Sequence, residues 1–142
     1  MSESSPLSAE QFSRRLVELC LRSNLSAIPK KELDQKILLK SAVLLLDPAR
    51  AYSEKDLTQR LDLWVSEVCQ IQHFDRVSLR RWLVDEGFVT RSANGSVYQV
   101  AARAAGEFDP AIERLDVLQV LDDARAEIAR RKQEFLQKAK ER

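Results

Sequence analysis

Apolar residues recur at helical spacing along most of the chain, with one short interval where they alternate instead. Phe12, Leu16, Leu19 and Cys20 share a face, with Arg14, Arg15 and Glu18 around them. Ser8 stands at the helix-capping position and Gln11 three residues on, in the spacing of a capping box. This predicts a helix to about Ser23, ended by Asn24, behind a disordered lead from Met1 to Leu7. Ala27-Ile28-Pro29 reads as a connector, and a second helix opens after it. There Leu33, Ile37, Leu38, Val43, Leu44 and Leu45 make a stripe broad enough to need several neighbours. Asp47-Pro48 stops it, because the residue before proline avoids helical angles.

Ser53 starts a third helix, with Asp56 in the reciprocal capping position and Leu57, Leu61, Trp64 and Val65 on one face, ending near Val68. Phe74-Asp75 leads into a fourth, whose apolar residues are Val77, Leu79, Trp82, Leu83 and Val84, and Gly87 closes it. Phe88–Arg91 and Ser96–Val100 then read as two strands. The Asn94-Gly95 pair between them suits the positive φ angles of a tight hairpin turn. Ala101 to Phe108 is a linker of small residues. Asp109 caps, and Pro110 opens a long helix towards the C-terminus. Val117, Leu121, Ala124, Ile128 and Phe135 fall on one line of that helix, interrupted by Arg131; such a line suits a partner helix.

The order helix, helix, helix, strand, turn, strand predicts a mainly α fold. Its core is a winged helix-turn-helix with a two-stranded β-hairpin wing, flanked by an N-terminal helix and a long C-terminal helix. Tyr52 is placed to supply the strand stub such folds carry before the second core helix. The expected divisions are a lead and helix over 1–27, the winged-helix-like domain over 28–100, and a linker and long helix over 101–142. Three glycines and four prolines in 142 residues argue against a turn-rich all-β fold.

Several strings resemble one bacterial family: Pro29-Lys30-Lys31 before the Ile37–Leu46 stripe, Ala51-Tyr52-Ser53-Glu54-Lys55-Asp56, Leu79-Arg80-Arg81-Trp82-Leu83-Val84-Asp85-Glu86-Gly87, and then Arg91 and Tyr98. The family is the domain of unknown function two-thousand-and-eighty-seven, and the resemblance runs from about Ile28 to Val100. It implies a winged-helix-like fold and a regulatory setting, since such modules often follow a DNA-binding helix-turn-helix in bacterial regulators. The chain departs from the family pattern between Trp64 and Asp75, where members carry a short acidic, His-containing stretch. Val65 to Phe74 is longer and more apolar.

A net charge of +1 is not the footprint of a strong nonspecific nucleic-acid binder, yet it leaves room for a local basic face. The candidate DNA contacts are Arg76, Ser78, Arg80 and Arg81 on the fourth helix, and Arg91 and Asn94 on the wing. Arginines there can pair with phosphates or fork onto guanine edges. Asp75, Asp85 and Glu86 weaken the local field. Arg80 and Arg81 lie about 100° apart on a helix, so one of them is expected to pair with Asp85 or with an acid on the third helix.

The basic run Arg130-Arg131-Lys132, with Lys138, Lys140 and Arg142, reads first as a solvated helix end favourable to the dipole. Trp64 and Trp82 read as core. His73, the one histidine, reads as a loop residue, and Cys20 and Cys69 as reduced, partly buried thiols of a cytoplasmic protein.

No nucleophile elbow, phosphate-cradling glycine loop or metal-ligand spacing occurs, so no enzyme, catalytic residue, metal or cofactor is expected. No signal-peptide or membrane-spanning run is read either. The expectation is a DNA-binding or accessory transcriptional regulatory protein acting on double-stranded DNA, with a homodimer or protein partner through the C-terminal helix. The alternative is a non-catalytic protein–protein interaction module with the winged helix as scaffold.

Overall fold

The computed structural model describes residues 6–102 and 107–141. Helix α1 (Ala9–Val17) runs into a π-helical turn (Glu18–Arg22). Its capping box forms as the sequence predicts: Gln11 N–H donates to Ser8 Oγ and Ser8 N–H to Gln11 Oε1, both at 3.0 Å. Leu7 is not part of a free lead. It exchanges backbone hydrogen bonds with the segment around Phe108, donating to the Glu107 carbonyl at 3.2 Å and accepting from Asp109 N–H at 2.8 Å. Phe108 in turn meets the Phe12 ring edge-on at 5.8 Å. The rest of the expected lead, 1–5, and residues 103–106 of the expected linker lie outside the described residues, as does Arg142.

Helix α2 (Glu32–Val43) is the central element, burying Ile37, Leu38, Leu39, Ala42 and Val43. Leu33 does not join that stripe; at the first turn it stays 51% exposed. Ser41 is fully buried yet satisfied: its hydroxyl donates to the Leu38 carbonyl at 2.6 Å and accepts from Trp64 Nε1 at 2.8 Å. Helix α3 (Glu54–Leu63) is capped by Ser53, which accepts from Asp56 N–H at 3.1 Å, and it too ends in a π turn (Trp64–Val68). The Asp56 carboxylate faces Arg50 at 3.6 Å. The stretch that departs from the family pattern buries Val68, Cys69 and Ile71 and packs Val65 and Phe74 partly against the core.

Helix α4 (Arg76–Asp85) follows, then strands β1 (Val89–Arg91) and β2 (Tyr98–Val100), paired antiparallel with Thr90 opposite Gln99. Tyr52 supplies the strand stub: its N–H and carbonyl both bond to Tyr98 at 2.8 Å. Phe74 stands edge-on between Trp64 and Trp82, at 6.3 and 5.8 Å, and ties α4 to α3.

The C-terminal helix is not one continuous run from Pro110. A 3₁₀ turn (Pro110–Arg114) drops Ile112 fully into the core, and Leu115 is extended. Asp116 then caps a new helix, α5 (Val117–Lys140), by accepting from Gln119 N–H at 3.1 Å. Val117 and Leu121 anchor α5, which packs on α1 and on the π turn after α3. From residue 129 to 140 every side chain is exposed. Among the described residues no helix is long and apolar enough to cross a membrane.

Candidate nucleic-acid interface

Helix α4 owes its position to three inward residues, Leu79, Trp82 and Leu83, which dock it on α3 and β1. Asp75 caps it, with Oδ1 accepting from Ser78 N–H at 2.8 Å and from the Ser78 hydroxyl at 3.0 Å. Those two bonds hold the Asp75 carboxyl below its ordinary pKa, so the cap stays ionised. Ser78 is thereby engaged in the cap, and the carboxylate occupies the helix N-terminus that a phosphate would otherwise find attractive.

The four arginines divide sharply. Arg80 is drawn inward: its side chain is only 14% exposed. It donates to Thr58 Oγ1 at 2.8 Å, faces Glu54 of α3 at 3.3 Å, and its guanidinium lies 6.0 Å from the centre of the Tyr98 ring. That makes Arg80 a strut between α3, α4 and β2. Arg81, one residue on, is exposed and forms no ion pair among the described residues. It is flanked by half-exposed Val77 and Val84, its neighbours on the helix surface. Arg76 faces Asp62 at 3.8 Å with both side chains about half exposed, an ion pair of the weakest kind.

On the wing, Arg91 is exposed and without an ion-pair partner among the described residues. Its guanidinium lies over the turn against Gly95, where a methyl group would collide with Arg91 Nη2. The turn is wider than a two-residue hairpin, because Ser92 N–H donates to the Val97 carbonyl at 2.8 Å. Gly95 alone takes positive φ, +74°. Asn94 contributes through its side chain instead: Oδ1 accepts from the Ser92 hydroxyl, Ser96 N–H and the Ser96 hydroxyl at 2.8, 3.1 and 2.7 Å. Its carbonyl oxygen is therefore committed to shaping the wing.

Of the six candidate contacts, Ser78, Arg80 and the Asn94 oxygen are committed within the protein, and Arg76, Arg81 and Arg91 face solvent. The helices flanking the core pack elsewhere, α1 on α2 and α5, and α5 on the π turn over 64–68. His73 is an exposed loop residue at φ +59°. Two features were not visible from spacing: which of Arg80 and Arg81 turns inward, and the approach of Cys20 to the segment around Cys69.

Residues 24–100 match the model of a family described as an uncharacterized protein conserved in bacteria (DUF2087). The match takes in α2, α3, α4 and both strands, over half the chain, and leaves α1 and α5 outside. No curated protein and no solved structure matches.

Proposed function

The chain belongs to this bacterial family, DUF2087, and on that premise we propose that it binds double-stranded DNA through α4 and the wing. In this reading it is a cytoplasmic accessory or regulatory protein with no catalytic step of its own. One observation carries the reading. Arg81 and Arg91 are exposed and unpaired among the described residues, Arg76 is only loosely held by Asp62, and the flanking helices make their main contacts with other elements. An uncovered arginine needs no native partner displaced before it meets a phosphate, and two or three such contacts give a modest, salt-sensitive affinity. The test is fluorescence anisotropy with a labelled duplex of random sequence. Joint replacement of Arg76, Arg81 and Arg91 by alanine is expected to remove measurable binding at low salt while the melting temperature holds. Binding undiminished in that variant would refute the assignment of these residues.

A second reading rests on a separate observation. The outer half of α5 displays Phe135 at 72% exposure, in line with anchored Leu121 and half-buried Ile128, and beside it Leu136 at 51%. Arg131, which interrupts the apolar line, is turned aside onto Glu127 at 2.9 Å. The arm then serves as the helix that aligns two copies of the chain.

A further inference from the structure

The two cysteines, distant in the sequence, meet in the fold. Cys20 lies in the π turn that ends α1, and Cys69 directly follows the π turn that ends α3. In the second turn the Cys69 N–H reaches back five residues to the Trp64 carbonyl at 3.0 Å. The chain segments after the two turns are laced together, Gln72 N–H donating to the Leu25 carbonyl at 3.0 Å. Cys20 lines a groove of about 440 Å³ with Val68 and Gln70, the residues on either side of Cys69, and with Arg125 of α5. It also lines a second groove with Gln70, Ile71 and Gln72. Cys69 is the main neighbour that perturbs the Cys20 thiol. Cys69 is 1% exposed, whereas Cys20 is half-buried and opens onto both grooves.

We propose that Cys20 and Cys69 are an oxidisable dithiol that closes into an intramolecular disulfide, with Cys20 attacked first and Cys69 resolving. The oxidant is hydrogen peroxide, small enough to enter either groove. The Cys20 sulfur attacks one peroxide oxygen, the O–O bond breaks, and Cys20 becomes a sulfenic acid as one water leaves. The Cys69 sulfur then attacks the Cys20 sulfur. The S–O bond breaks, and the hydroxyl leaves as a second water with the Cys69 proton. Two thiols lose two electrons and two protons, and one peroxide becomes two waters.

The order follows from access: only Cys20 meets solvent, and only Cys69 is placed to resolve it. The pace follows from the surroundings. Hydrogen bonding to Cys69 and burial push the Cys20 thiol above its ordinary pKa, with Arg125 pulling the other way. The thiolate is the nucleophile, so the pair responds to sustained exposure and not to a brief pulse. Closure joins the exits of α1 and α3 and encloses the chain that forms α2 and α3. It restricts the unfolded chain and leaves α4 and the wing untouched.

The test uses the full chain, reduced, freed of reductant, exposed to hydrogen peroxide for hours, then unfolded and alkylated. The expected product is a monomer lighter by two hydrogen atoms, resistant to alkylation, with one cross-linked peptide pair holding Cys20 and Cys69. Its melting temperature is several degrees higher, and dithiothreitol reverses the shift. Cys20→Ser and Cys69→Ser each leave the other cysteine open to alkylation without an intrachain link. The proposal is overturned if both wild-type thiols remain alkylatable, if Cys20 gains oxygen while Cys69 stays free, or if the links join two chains.

Discussion

Arg80 donates to Thr58 Oγ1 at 2.8 Å across the α3–α4 interface, while its sequence neighbour Arg81 points into solvent. Two adjacent arginines thus divide between the α3–α4 interface and the solvent-facing surface. Arg80→Ala is expected to lower stability by about 1–2 kcal/mol, through loss of a part-buried charged hydrogen bond and its contact with Tyr98. Arg81→Ala is expected to stay within about 0.5 kcal/mol of wild type, as exposed substitutions do. Urea unfolding of both variants checks this; equal losses would show that Arg81 is structural too.

A second ion pair fixes the N-terminal helix to the core. Arg15 donates to both carboxylate oxygens of Asp34, at 2.8 and 2.9 Å, and Asp34 is 4% exposed. The Arg15 hydrogen bonds hold the Asp34 carboxyl below its ordinary pKa, against the opposing effect of burial. A depressed carboxyl stabilises the fold fully above its unfolded-state pKa of about 4. That contribution is lost as pH falls through the folded value. Arg15→Ala is expected to cost about 2–3 kcal/mol by leaving a buried carboxylate unpaired. It also reverses the local pH dependence, since burial then favours the neutral acid. Melting temperature followed from pH 7 to pH 3 reads both effects, and identical pH profiles for wild type and variant would count against the pair.

His73 adopts φ +59° and Gly95 φ +74°. The left-handed region costs an ordinary side chain about 1–2 kcal/mol, and a β-branched one is worse placed still. His73→Val is therefore expected to destabilise by about 1–2 kcal/mol relative to His73→Gly. Gly95→Ala is expected to destabilise and also to dislodge the Arg91 guanidinium from the turn. Thermal unfolding of the three variants decides this, and a Gly95→Ala protein as stable as wild type would contradict the described turn.

Cutting the chain after Glu127 removes the exposed arm and leaves the buried anchors Val117 and Leu121 in place. Fold stability is expected to change little, while the mass by light scattering falls from two chains to one. An unchanged mass would remove the arm from any role in pairing.

Much of this was legible in the residues. Ser8 and Ser53 cap helices where their spacing said they should, because a cap is a local matter of one side chain and the first turn. Gly87 at φ +77° and the pairing of the strands after it were equally local. What the sequence concealed depended on distant partners. The break at Leu115 exists because Ile112 is drawn into the core, and Asp116 reads as an ordinary surface acid until that break exposes a new helix start. The choice between Arg80 and Arg81 was made by Thr58, Glu54 and Tyr98, all far along the chain. Asn94 looked like a positive-φ residue, yet it serves through three hydrogen bonds of its side-chain oxygen. The approach of Cys20 to Cys69 follows from how the segments after two π turns are laced together, which no spacing encodes.

The most direct measurement is the affinity of the wild-type chain for a labelled random duplex as salt is raised from low concentration. Contacts by Arg76, Arg81 and Arg91 predict binding that weakens linearly in log salt with a slope of about −3, close to one ion released per phosphate contact. No binding at the lowest salt, or binding indifferent to salt, would contradict the DNA-binding account.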